Sequence, residues 1–185
     1  MAPRYPSFPP IMGGRIKLRL PRFDDAPQLI SIINDRDVVA NLAHVPYPYD
    51  DYAAREFIQN TYEKIKNKLA FHLFIENRAT RELIGGIGWD MGDGEIGYWI
   101  AKQHWGQGYA TEAMQLAIGY CRTKNLCVGL RSIIAEDHAA SRRVVEKCGF
   151  ELTGHEIQKF PARGRLQRVA VYELQFNKGT EQCAG

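Results

Sequence analysis

No stretch of the 185 residues stays apolar for more than a few positions, so the chain offers no helix that could cross a membrane. Cysteine is scarce: Cys121, Cys127, Cys148 and Cys183 form no Cys-x-x-Cys pair. That scarcity predicts reduced thiols in a cytoplasmic protein and leaves no ligand spacing for zinc, so no metal is expected. Charge of one sign never accumulates. With 24 basic against 21 acidic residues and a net charge of +3, no block is long enough for a nucleic-acid tail, and no basic stripe carries interleaved aromatics. The opening residues hold Pro3, Pro6, Pro9 and Pro10 but no apolar core of a signal peptide. Residues 1–12 therefore read as a flexible, extended arm, 178–185 as a frayed tail, and 13–177 as one domain. A chain of this size buries roughly 70% of the surface its unfolded form exposes and needs no staple.

What is present is periodic. Ile16, Leu18 and Leu20 alternate on one face of a strand over 16–20, which Pro21 ends. Asp24 or Asp25 can cap a helix over 26–34, and a shorter helix follows near 38–42. Two prolines force the stretch from His44 to Tyr49 into an extended loop. Asp50 or Asp51 then caps a long helix reaching about residue 66, with Tyr52, Phe57, Ile58 and Tyr62 as candidates for its buried face. Strands over 69–76, 83–89 and 95–101 follow, the last two joined through the glycine-bearing turn at 90–94. A helix over 108–123 carries Tyr109, Ala113, Leu116, Ala117 and Tyr120 on one stripe. A strand over 131–135, a helix over 139–147 closed by Gly149, and strands over 150–159 and 168–176 complete the chain. The order predicts a mixed α/β (α+β) fold, a mostly antiparallel sheet with one strand-helix-strand crossover and helices on both faces.

The stretch Gln103, His104, Trp105, Gly106, Gln107, Gly108 sits between a strand and a helix that opens with Tyr109, Ala110 and Thr111. Two glycines there let successive N–H groups curl into one concavity, and the helix dipole adds positive potential, which suits a diphosphate. The same glycines would also serve a plain strand-to-helix turn.

Taken together, Gly97-Tyr-Trp-Ile100, Gln103-x-x-Gly106-x-Gly108, Ala110-Thr-Glu-Ala113 and the run from Ser141 to Phe150 resemble the GNAT family of acetyl-CoA-dependent N-acetyltransferases, closest to its RimJ/RimL-type, ribosomal-protein-alanine branch. The resemblance spans about 16–176. It implies a GNAT fold with splayed central parallel strands and acetyl-CoA as cosubstrate. The pantetheine would lie between the strand ending at Ile100 and the strand over 131–135, facing the backbone of Tyr98 and Ile100. An N–H near Tyr98 or Trp99 would polarise the thioester carbonyl, while the 103–108 backbone and the turn to Thr111 would hold the diphosphate. Arg142, Arg143 and Lys147 are candidates for the 3′-phosphate or form a solvated helix face.

Two departures from the family pattern stand out. His138 occupies the place of an asparagine whose amide contacts pantetheine, and Val145 occupies that of a thiolate-protonating tyrosine. In the resembled branch the hydroxyl at Ser141 is the proposed acid; otherwise Ser141 is a helix-face serine. Glu95, Asp90 and Glu136 compete with relayed water as the base, and burial of Glu95 is expected to favour it. The activity implied is transfer of acetyl from acetyl-CoA to a primary amine: a protein N-terminus, polyamine, amino acid or drug-like amine. A homodimer fits the branch, whereas a membrane or nucleic-acid partner fits neither reading. The rival is a non-catalytic acyl-CoA-binding module, which His138 and Val145 favour.

Overall fold

The structure, a computed structural model, describes residues 7–43 and 45–176. Eight strands and five helices are seen among them: β1 (Ile11–Met12), β2 (Ile16–Arg19), α1 (Ala26–Ile33), α2 (Arg36–Val39), α3 (Asp51–Lys66), β3 (Ala70–Asn77), β4 (Leu83–Asp90), β5 (Ile96–Ile100), α4 (Tyr109–Thr123), β6 (Gly129–Ala135), α5 (Ala139–Lys147), β7 (Glu151–Phe160) and β8 (Arg165–Gln175). They build two antiparallel sheets, ordered β1-β2-β3-β4-β5 and β6-β8-β7. Among the described residues one parallel bridge, between Glu95 and Arg131, joins them. Gly94 makes that joint possible: its φ is +73°, and a Cβ there would stand 3.0 Å from the Gly129 carbonyl oxygen.

Alternation divides the larger sheet into two faces. Phe71, Leu73, Trp89, Ile96 and Ile100 lie in one apolar cluster with Ala113, Met114 and Ala117 of α4 and Val145 of α5. Phe74 belongs to a second cluster with Leu29 of α1, Val38 of α2 and Ile58 of α3, and Trp99 packs against it. Helices therefore cover both faces, as the element order predicts.

Several expectations need correction. Residues 8–12 are not an arm outside the fold: Ile11 pairs with Leu18, and the Phe8 ring lies 5.9 Å from Phe71 and 5.5 Å from Tyr120. The proline spacing concealed this because a two-residue strand has no period. Residues 1–6 and the expected tail from 178 lie outside the described residues. Asp25 does occupy the N-cap of α1, but its carboxylate makes no capping bond. It is taken instead by Arg19 at 2.8 Å and by the Arg22 amide at 2.6 Å, a guanidinium being the stronger attraction. Asp50 rather than Asp51 caps α3, accepting from the Ala53 amide at 2.8 Å. On α3, Ile58 and Tyr62 are buried, but Tyr52 is 74% exposed.

Candidate active site

The ladder geometry determines which backbone groups meet the space between the sheets. In an antiparallel pair, alternate residues direct both their N–H and C=O to one neighbour. Asp90 donates to the Glu95 carbonyl and Ala101 to the Ile84 carbonyl, both at 2.9 Å. With Gly86 opposite Trp99 and Gly88 opposite Gly97, the odd-numbered residues of β5 are committed to β4. Tyr98 and Ile100 therefore turn their backbone groups the other way, toward β6.

The β6 edge mirrors this arrangement. Phe176 donates to Val128 at 2.8 Å and Glu136 to Arg168 at 3.1 Å, so the even-numbered residues of β6 serve β8. Ile133 and Ala135 face β5. Beyond the Glu95–Arg131 bridge no ladder joins the two strands among the described residues, and their edges face each other across a wedge. The Ile100 carbonyl is already met by the Trp105 indole N–H at 2.7 Å, and the Ala135 carbonyl by the His138 amide at 2.8 Å. The N–H groups of Tyr98 and Ile100 remain directed into the wedge. Of the two candidate amides, that of Tyr98 faces the wedge, whereas that of Trp99 belongs to the β4 ladder.

The wedge leads to the glycine junction. Gly106 and Gly108 have φ of +72° and +80°, left-handed values that disfavour any residue with a Cβ. A Cβ on Gly106 would meet nothing within 4 Å, so that side of the loop is open. Gly108 is the N-cap of α4 and offers no side chain to it. The amides at the start of any helix lack intrahelical partners, and those of Gly106, Gln107 and Gly108 take no backbone partner among the described residues. The other side chains of the loop brace it. His104 contacts Glu82 at 3.2 Å, and the Gln107 side-chain Nε2 donates to the Gln103 carbonyl at 3.1 Å.

Residues missed in the sequence fix this junction from outside. Glu112, in the first turn of α4, accepts from the Arg15 amide at 2.8 Å, the Arg15 Nε at 2.9 Å and the Ile16 amide at 3.4 Å. Arg15 also donates to the Gln107 carbonyl at 2.8 Å and lies over the Tyr109 ring, 4.7 Å from its centroid. Burial alone would raise the Glu112 carboxyl, but the Arg15 and Ile16 hydrogen bonds and the Arg15 charge outweigh it and hold it below the usual carboxylate range. An acid in a first helical turn was a visible signal; its partner ninety-seven positions away was not.

On α5, Ser141 is 8% exposed. The Tyr98 hydroxyl donates to its Oγ at 3.0 Å, a side-chain contact that strand alternation alone did not suggest. Burial pushes the Tyr98 phenol up to about 12. Val145 is fully buried in the main core, so this position has become packing. His138 occupies the N-cap of α5 without a side-chain capping bond. Burial, followed by the charge of Arg163, lowers its pKa and keeps the imidazole neutral near pH 7. Arg142 donates to the Tyr172 hydroxyl at 3.1 Å.

The candidate bases differ in setting. Glu136 stands 3.3 Å from His155 and 3.5 Å from Arg168, so its carboxylate is already held by partners. Glu95 sits half-buried at the bridge, on the face opposite Tyr98, with its bridge partner Arg131 ion-paired to Glu156. Tyr49, at the end of the proline-bearing loop, is buried, its backbone held by Asn34. Among the described residues no cluster of His, Cys, Asp or Glu could hold a metal, and no helix is long and apolar enough to cross a membrane.

Two splayed sheets with a glycine-lined helix start at the mouth of the wedge define an acyltransferase of the acetyl-CoA-using type. The chain belongs to the GNAT acetyltransferase family: the Acetyltransferase (GNAT) domain matches residues 15–151. It is 28% identical to the uncharacterized N-acetyltransferase p20 of Bacillus licheniformis over 165 residues, covering 86% of this chain and 92% of that protein. Among solved structures, RimL, the ribosomal L7/L12 alpha-N-protein acetyltransferase in complex with coenzyme A, superposes with a TM-score of 0.80 at 18% identity, covering 91% of this chain and 98% of that one. The spermidine N-acetyltransferase of Vibrio cholerae, solved with CoA and spermine, superposes with a TM-score of 0.74 at 22% identity, covering 88% and 96%. At these identities the two structures establish the shared fold.

Proposed function

We propose that the protein transfers the acetyl group of acetyl-CoA to a primary amine by direct attack, with both substrates bound at once. The observation that carries this reading is the pair of unpaired edges, Tyr98 and Ile100 facing Ile133 and Ala135, running to an open cluster of amides at 106–108. An extended arm with amide groups fits between two such edges as a missing strand would, and a dianion fits the amides beside a helix start. Acetyl-CoA, when bound, supplies an activated acyl carbon and a thiol leaving group. Solved relatives that hold CoA support the same assignment.

The chain's own residues then do the following. The Tyr98 amide donates to the carbonyl oxygen as negative charge develops there, a contribution of about 3 kcal/mol for one such donor. Holding the two reactants in line contributes roughly 7–11 kcal/mol. Ser141 supplies a proton to the departing sulfur. Glu95, half-buried where the two sheets meet, takes the amine proton, directly or through water. The acceptor is a polyamine or a protein N-terminus, classes on which the solved relatives act, and the compartment is the cytoplasm, where unbridged thiols persist.

The test is thiol release from acetyl-CoA against spermidine, an alanine-initiated peptide and a serine-initiated peptide. One of these amines is expected to accelerate release. CoA binding without acceleration by any amine would favour the acyl-CoA-binding module, the reading that a buried Val145 supports. A Glu95→Gln variant should lose the acidic limb of the pH–rate profile, and an unchanged profile removes Glu95 from the mechanism.

A further inference from the structure

The hydroxyl pair at the end of the wedge has a directional consequence. Tyr98 extends from β5 into the main apolar cluster, and its hydroxyl meets Ser141 Oγ at 3.0 Å. A phenol is a stronger donor and a poorer acceptor than an alkanol, so in this pair the tyrosine gives its proton and the serine oxygen receives it. The Ser141 hydroxyl hydrogen is then excluded from that direction. It takes no acceptor among the described residues, although Ser141 is nearly buried. The serine main chain is committed separately, its amide donating to the His138 carbonyl at 3.1 Å. Ser141 thus keeps one polar hydrogen to give, and Tyr98 restricts where it can point.

We propose that Tyr98 is a positioning residue: its hydroxyl orients Ser141 so that the serine donates to the sulfur of CoA. This rests on the reading that CoA occupies the wedge and that Ser141 faces its sulfur. As the amine nitrogen bonds to the acyl carbon, the carbon–sulfur bond breaks and its electron pair leaves on sulfur. Ser141 gives its proton to that sulfur. As its own proton moves to sulfur, the serine oxygen takes up the proton that Glu95 removed from the amine, relayed through water, so that no free alkoxide forms. The Tyr98 O–H stays directed at the serine oxygen throughout. The hydroxyl aligns the serine and steadies it and, unlike the Tyr98 backbone amide, does not itself touch the reacting atoms.

A thiol titration separates this role from packing and needs no acceptor. The pKa of CoA bound to the intact chain is read from thiolate absorbance. A hydrogen bond from Ser141 to the thiolate lowers that pKa below the value in free CoA. Tyr98→Phe keeps the ring and removes the hydroxyl. It should raise the bound-thiol pKa by about one unit, the scale of one lost hydrogen bond to a charged form. Ser141→Ala should raise it at least as far, the double variant no further than Ser141→Ala alone, and Ser141→Thr should retain the wild-type value. CoA affinity by calorimetry should stay within about twofold for Tyr98→Phe, a bound on any general loss of packing. A wild-type thiol that titrates as free CoA overturns the proposal, as do Tyr98→Phe titrating like wild type and additive shifts in the double variant. Failure to bind CoA would overturn it together with the acetyl-transfer reading. Binding with normal thiol shifts but no amine turnover would overturn the amine acceptor alone.

Discussion

At the scale of single residues, Gly106 and Gly108 are equivalent in φ but not in surroundings. A Cβ at 106 meets open space, whereas one at 108 comes within 3.4 Å of the Arg15 guanidinium. Gly106→Ala therefore costs the fold only its left-handed backbone, roughly 1–2 kcal/mol. If the open side holds the diphosphate, CoA affinity falls further than stability does. The expected result for Gly106→Val is a loss of CoA binding of at least about tenfold, equivalent to 1.4 kcal/mol, in a protein that still unfolds cooperatively. Calorimetry alongside a urea melt checks this, and unchanged affinity in the folded variant would remove the loop from the site. Both glycines stood out in the sequence, but by themselves they suited a plain turn equally, and the resemblance to the family singled them out. The Tyr98–Ser141 contact was not legible there, because it joins a strand to a helix forty-three positions later and depends on side-chain reach.

Among the elements, the β1–β2 hairpin is attached to α4 through one carboxylate. Glu112 takes two backbone amides and the Arg15 side chain, and Arg15 in turn holds the Gln107 carbonyl. Removing the acceptor leaves two amides unmet. Glu112→Ala should destabilise the protein by about 2–3 kcal/mol, the scale of hydrogen bonds to a charged group, and weaken CoA binding because Gln107 loses its brace. Arg15→Ala should cost less stability, since both amides keep their acceptor, while affecting CoA binding similarly. Denaturant melts paired with calorimetry separate the two effects, and an equal stability loss in both variants would contradict the assignment. Element positions were largely readable: the residue period gave α3, α4 and α5 nearly to their ends because each carries an apolar stripe. β1 escaped because two residues cannot establish a period, and the separation of the sheets escaped composition because it is a property of pairing. Only the family resemblance anticipated it.

Across the whole molecule, acid stability depends on two kinds of group. His72, packed edge-on against Phe57, is held down to about 4, by burial first and then by the charge of Lys64, against an opposing pull from Asp90. His138 is lowered as well. Glu76 is 3% exposed and lies among Arg19, Lys17 and Arg81. Burial alone would raise it, but hydrogen bonds from Lys17 and Arg19, with their charges, bring it below its usual value. In every case the folded pKa is below the unfolded one, so below the unfolded value the unfolded chain binds more protons and stability falls with pH. The histidines contribute stability above about 6.5 that drains away as pH falls below it, for His72 down to about 4. The Glu76 contribution is complete above about 4.5 and is lost below it. Urea midpoints should hold steady from pH 8 to 7, decline gently from about 6.5, and steepen below about 4.5. Glu76→Gln should be weaker by about 3–5 kcal/mol at pH 7, because it leaves buried cations without their partner. Its penalty should shrink as pH falls, since protonation brings the wild type to the same neutral state. Parallel curves for the two proteins between pH 7 and 3 would show that the Arg19–Glu76 pair does not govern the steep limb, leaving Glu112 and Asp137, whose carboxyls Arg15 and Arg163 also hold low, as its source.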